Sequence, residues 1–317
     1  MLPETIAIMP IQETKTFVST VETSPKPESE PKLWLAPIIG FGLVGVIAGL
    51  YIFFNPFQEL IAQAPGVVQG LFTEQVLFFI IAGFIAQMID GALGMAYGIS
   101  STSILLGLGV SPAMASASVH ISEVFTTGIS GLSHLKLGNV NRKLFQSLLL
   151  PGVIGAVLGA YVLTSIDEKS IKPFVAVYLL IMGVVVLRKA FKKAQENREL
   201  KHISRLALFG GFMDAVGGGG WGPIVATTLL SKGHNARFTI GSVNLAEFFI
   251  ATAGAGTFVA LIGMGNWQII AGLIIGGSFA APFAAFLCKK IPAKNLMIMV
   301  GILIIGLSLR TLFLYLK

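Results

Sequence analysis

From residue 33 onward the chain is written as apolar runs separated by short polar punctuation. The runs at 33–54, 113–135, 144–165, 171–191, 237–262, 266–288 and 292–315 each approach the ~20 apolar residues that cross a bilayer as a helix. Two apolar regions are interrupted. The stretch 75–90 is followed by 96–110, and 204–216 by 219–231, with a glycine-rich break inside each pair. This pattern predicts an all-α polytopic membrane protein with two broken helix pairs. Residues 1–32 carry no such run, and "TSPKPESEPK" has neither a basic leader nor a short apolar core. They read as a disordered cytoplasmic tail and not as a signal peptide.

Composition agrees with the pattern. Of the 317 residues, 54% are hydrophobic and 12% charged, about half the ~25% charged residues of a soluble domain. The mean hydropathy is +0.82. A net charge of +7 could suggest a nucleic-acid partner, but the basic residues cluster between apolar runs, so none is expected. The segment 188–205, "RKAFKKAQENRELKHISR", holds seven Lys/Arg against two Glu. By the positive-inside rule it is cytoplasmic. Counting crossings from it places 136–143, 232–237 and 289–294 inside, and 165–172 and 263–266 outside. The expectation is a multi-pass protein of the cell (inner) membrane with its N-terminus in the cytoplasm. The single cysteine, Cys288, excludes an intramolecular disulfide.

Sliding the chain by 124 residues lays 90–123 over 214–247 without a gap. Nine positions are identical, among them Asp90 with Asp214, Gly94 with Gly218, Gly98 with Gly222, Ser118 with Ser242 and Glu123 with Glu247; Tyr97 meets Trp221. These four acids are the ones, of fifteen, that fall inside apolar spans. The charge count starts one copy outside and the other inside, so the repeats have inverted topology, an architecture of secondary transporters. The organisation is a tail (1–32), an N-terminal span with an extracytoplasmic connection (33–74), a first repeat (75–191), a basic cytoplasmic linker (192–203) and a second repeat (204–317).

The break "DAVGGGGWGP" at 214–223 cannot continue a helix, since Gly costs ~1 and Pro ~3 kcal/mol in a helix interior. Pro223 suits the first turn of a second half-helix. Bare N–H groups leading into a helix N-terminus bind anions without a cationic side chain. Substrate contacts are therefore expected at Gly94, Tyr97 and Gly98 in one copy and at Gly217, Gly218, Gly219, Gly220, Trp221 and Gly222 in the other. Glycines as packing notches are the alternative. A carboxylate in hydrocarbon costs about 2.5–3.5 kcal/mol, so the four acids call for a role. Asp90 and Asp214 precede the breaks, where they can cap them or carry protons. Glu123 and Glu247 lie in "SVHISEVF" and "SVNLAEFF", and helical spacing pairs His120 with Glu123 and Asn244 with Glu247. Gating or proton coupling is the expectation for the acids, and a polar wall for Ser118, His120, Ser242 and Asn244. No metal or cofactor is expected.

Two glycine-rich breaks, each followed by a span carrying Ser-Val-x-x-x-Glu, resemble the sulfite exporter TauE/SafE family over about 75–315. "DAVGGGGWGPIVATTLL" is the closer match; "DGALGMAYGISSTSILL" has Met95 and Ala96 where the family pattern favours glycine. The resemblance implies a secondary transporter, not an enzyme, that exports sulfite, sulfoacetate or a related small anion by alternating access. An importer or channel for a similar anion is the near alternative, and an intramembrane aspartyl protease the distant one. The partners are the bilayer and the anion, with a homodimer compatible with the sequence.

Overall fold

The computed structural model describes residues 73–317 except 94, 192–201, 233, 265–266 and 291–292. The tail, the span expected at 33–54, most of the basic linker and Gly94 lie outside the described residues. The described chain is all-helical: α1 (Glu74–Leu93), α2 (Tyr97–Gly107), α3 (Pro112–Lys136), α4 (Arg142–Ser165) and α5 (Glu168–Lys189) form one set. The second set is α6 (Ile203–Gly217), α7 (Gly222–Ser231, opening with a π-helical turn), α8 (Ala236–Ile262), α9 (Trp267–Lys290) and α10 (Ala293–Leu316).

The boundaries follow local chemistry. Ser111, Asn141, Asp167 and Asn235 each accept a first-turn N–H with their side-chain oxygen, at the starts of α3, α4, α5 and α8. Such caps satisfy donors that have no carbonyl a turn earlier. Ser111 and Asn235 are 124 positions apart, so the repeat extends to its punctuation. Helices α4, α5, α8 and α10 are long and apolar enough to cross a membrane. Their outer faces carry exposed Leu150, Phe174, Leu261 and Ile302, a surface suited to lipid.

Packing exchanges partners between the two sets. Helix α1 packs on α9, and α6 on α4; α3 packs on α8 and α5 on α10. Glycine makes the close approaches. A Cβ on Gly276 would lie 2.0 Å from the Ile80 carbonyl oxygen, and one on Gly155 2.2 Å from that of Leu208. Small residues at such crossings let helix backbones touch, which is how helices associate in lipid.

The broken pairs turn back. Gly83 meets Leu273 and Gln87 lies by Gly277, so α1 runs parallel to α9; α2 then returns from Tyr97, beside Gly277, to Gly107 beside Leu307 and Arg310. Likewise α6 runs beside α4, from Leu208 at Gly155 to Ala215 at Gly159. After α7, Gly241 at the start of α8 touches Asn139, which precedes α4. Each pair is thus a hairpin within the bundle.

The connections gather at two ends. One holds 108–111, 166–167 and 263–264. The other holds 137–141, 190–191 with 202, and 232 with 234–235. Among the described residues this second end carries Lys136, Arg142, Lys143, Arg188, Lys189, Arg205, Lys232, Arg237 and Lys294 and no acid.

Candidate functional site

The two breaks meet. A Cβ on Gly219 would sit 2.2 Å from the Ile99 nitrogen and one on Gly98 2.6 Å from the Gly219 Cα. Here two backbones cross where only hydrogens fit. Gly218 and Gly219 also have positive φ, +65° and +143°. In the first copy the left-handed residue is Ala96, φ +92°, at one of the two positions where the family pattern favours glycine. The breaks are related but not superimposable.

Each break is tied by its aspartate. Asp90 Oδ1 accepts the N–H of Tyr97 at 3.2 Å and Asp214 Oδ1 that of Trp221 at 2.8 Å. The same seven-residue span closes both. The Asp214 carbonyl also accepts the Gly219 N–H at 2.8 Å. Carbonyls released by the second break find hydroxyls on other helices: Ser116 donates to Ala215 at 2.6 Å, Thr102 to Gly218 at 2.5 Å and Tyr178 to Gly219 at 2.9 Å. Non-helical backbone at membrane depth persists only where such partners are supplied. Nothing in the break itself pointed to Thr102, Ser116 or Tyr178. The run "SSTS" inside apolar α2 was the one available signal.

Beside the crossing lies a cavity of about 280 Å³. At about 30 Å³ per water that is room for several waters or a small solute. From the first copy it is lined by Asp90, Tyr97, Gly98 and Glu123; from the second by Asp214, Gly220, Gly222, Asn244 and Glu247. All four intramembrane acids therefore face one space. Gln87, Thr126, Thr127, Ser130 and His134 add polar wall, and no Lys or Arg is among the described lining residues. Lys189 places its Nζ 3.0 Å from Sδ of the lining residue Met95. Gly98 and Gly222 sit in the first turns of α2 and α7, where N–H groups lack an intrahelical acceptor.

Other residues singled out in the sequence take different places. Gly217 packs on Tyr178, Gly218 on Thr102 and Gly219 on Gly98 and Ile99, and none of the three lines the cavity. Trp221 is buried and donates its indole N–H to the Val243 carbonyl. Ser242 bonds to the backbone of Asn141. Ser118 lines a second cavity of about 280 Å³ with Ser111, Ile121, Ile262 and Met264, at the end away from the basic connections.

The helical spacing does bring polar atoms of His120 and Glu123 within 4.8 Å of each other, and Asn244 and Glu247 line one cavity. The shortest contacts of His120 and Asn244, however, go to other helices or to backbone. His120 Nε2 faces Asp214 Oδ2 at 3.3 Å across the repeat interface, and its Nδ1 lies 2.9 Å from the Ser116 carbonyl oxygen. Asn244 donates to Ser130 Oγ at 2.9 Å.

A family model described as "Sulfite exporter TauE/SafE" matches residues 79–311. The chain is 41% identical over 249 residues to a protein of Bacillus subtilis (strain 168) described as "Probable membrane transporter protein YtnM", covering 75% of this chain and 83% of that one. It is 28% identical over 202 residues to "Probable membrane transporter protein ORF9" of Sinorhizobium sp, covering 60% and 69%. No solved structure matches significantly.

Proposed function

The chain belongs to the sulfite exporter TauE/SafE family, and from that premise we propose that this multi-pass membrane transporter exports a small sulfur-containing oxyanion by alternating access. The family is one of transporters, and the intramembrane protease alternative falls with that membership. The observation that carries the proposal is the cavity at the crossing of the two breaks. It offers two first-turn glycines and a polar wall, and it is sized for a small anion. Sulfite, sulfoacetate and related sulfonates are the substrate class.

The direction has a physical basis. At about 100 mV, interior negative, each charge moved is worth ~2.3 kcal/mol. A dianion leaving the cell gains about 4.6 kcal/mol, a bias of more than about a thousandfold. Efflux from proteoliposomes over a panel of sulfite, sulfoacetate, sulfate and chloride tests this. Sulfur oxyanions should leave faster than chloride and faster with a negative interior. Equal rates for all four would favour a channel, and uptake against that potential an importer.

The inverted-repeat reading draws support from the partner exchange between helix sets and from the two back-turned hairpins. We place the basic end in the cytoplasm. The site cavity reaches toward that end through His134 and Ile240, and the second cavity lies toward the other. Helix α3 lines both: Ser118 and Ile121 face one, Glu123 and Thr126 the other. In a Cys288→Ala background, a cysteine replacing Asn139 should be labelled from the cytoplasmic side and one replacing Met264 from outside. Labelling of both from one side would refute the topology.

A further inference from the structure

His120, Asp214 and Glu123 bring their ligating atoms to within 4.8 Å of one another in a buried cluster. Resting on the reading of an anion transporter, we propose that this cluster is a proton-binding site whose proton enters and leaves with the transported anion.

Hydrogen bonding fixes what the cluster lacks. A carbonyl oxygen cannot donate, so the contact between His120 Nδ1 and the Ser116 carbonyl places a proton on Nδ1. Asp214 Oδ1 is already engaged by the Trp221 N–H. This leaves His120 Nε2, Asp214 Oδ2 and Glu123 Oε2, three buried atoms, none with an aligned hydrogen-bond partner. His120 is 0%, Asp214 2% and Glu123 3% exposed, so bulk water does not supply one. Without a proton among them, all three present lone pairs. One proton, on Nε2 or on either carboxyl, gives the cluster the donor it needs.

Among the described residues no Lys or Arg does this work. The titratable groups facing the cluster are Glu247 from α8, Asp90 from α1, Tyr97 from α2 and Tyr178 from α5. Lys189 is directed at Met95, and His134 lies farther along α3. Every charge that these neighbours can contribute is negative.

Two members of the cluster also line the anion cavity. A proton bound there lowers the negative charge that an entering anion meets, so proton and anion favour each other's binding by the same factor. Their movement is then in one direction. One proton is taken up with the anion at the cytoplasmic end and released with it at the other, and no bond other than that to the proton is made or broken. A dianion then leaves with a net charge of one, so the gain at about 100 mV falls from the ~4.6 kcal/mol of the uncoupled anion to ~2.3 kcal/mol.

The test uses the full chain in proteoliposomes with the membrane potential clamped and sulfoacetate as the probe, fully ionised throughout the pH range used. Wild-type efflux should carry about one proton per anion in the same direction. Sulfoacetate should bind the purified protein roughly 5- to 150-fold more tightly at pH 5.5 than at pH 8. His120→Gln, which retains a polar side chain, should flatten that pH dependence and remove the accompanying proton flux. Anion efflux without proton movement, with pH-independent binding, would overturn the coupling and leave the transport reading standing. A pH-dependent signal that EDTA removes and Zn²⁺ restores would assign the cluster to a metal ion instead, and overturn it too. If sulfoacetate neither binds nor moves, the substrate reading fails, and the proton site is judged by fluorescence. In a Trp34→Phe, Trp267→Phe background, Trp221, bonded to Asp214, should report a titration step that His120→Gln abolishes. Absence of that step would overturn the site.

Discussion

Gly219→Ala should leave little folded transporter in the membrane. The added Cβ would lie 2.2 Å from the Ile99 nitrogen, 2.3 Å from the Gly98 carbonyl carbon and 2.5 Å from its Cα. All three are backbone atoms of the opposite break, so no side-chain rotation relieves the contact. The conformation adds to the cost, since φ is +143° and strained backbone costs about 1–3 kcal/mol. Overpacking adds roughly 1–3 kcal/mol. Together these reach a substantial part of the ~5–15 kcal/mol that holds a domain folded. Gly256→Ala is the control, because a Cβ there meets nothing within 4 Å. The check is the amount and thermal stability of detergent-purified protein. Gly219→Ala should fail both measures and Gly256→Ala should match wild type. A stable, abundant Gly219→Ala protein would mean that the breaks do not cross as described. Gly222 is the better probe of the anion itself: its Cβ would meet the Met95 Cβ at 3.0 Å, and the residue lines the cavity.

Helix positions were legible because a bilayer demands long apolar runs, and the repeat carries them from one half to the other. The starts of α3, α4 and α5 return 124 to 125 residues later as those of α8, α9 and α10. The four acids stood out for the same reason: ionisable groups inside apolar spans are rare. What could not be read was how residues meet across helices. Helical spacing put His120 beside Glu123, yet its closest acidic contact is Asp214, 94 positions away on the other repeat. The Ser-Val-x-x-x-Glu motif is split for a geometric reason. At ~3.6 residues per turn, positions five apart point about 140° away from each other. Glu123 therefore faces the site while Ser118 faces the second cavity, and Glu247 faces the site while Ser242 holds Asn141. The glycine tract was legible as a break but not in its division of labour. Gly217 to Gly219 serve close approach and backbone turning, whereas Gly220 and Gly222 face the cavity.

Substituting amides for the acids should separate holding the break from moving the anion. Asp214 does both. Its Oδ1 accepts the Trp221 N–H and its Oδ2 faces His120. Asp214→Asn keeps the accepting oxygen and can present its NH₂ to His120 Nε2, so the break survives and part of the transport with it. Asp214→Ala leaves the Trp221 N–H buried without an acceptor, a loss of about 1–3 kcal/mol, and should reduce both stability and transport to near background. Glu247 behaves differently. It lines the cavity with Glu123 and Asp214, and among the described residues the hydrogen bonds that tie the breaks are made by the aspartates and by hydroxyls and not by it. Glutamine there is a permanently uncharged glutamate. Without the charge the anion is admitted more readily, but no negative charge at this position repels it outward. Glu247→Gln should therefore lower KM together with kcat and lose more transport than Asp214→Asn. Efflux at two pH values, normalised to protein in the membrane, gives the comparison. If Glu247→Gln transports as well as wild type at both, its carboxyl is structural and takes no part in expelling the anion.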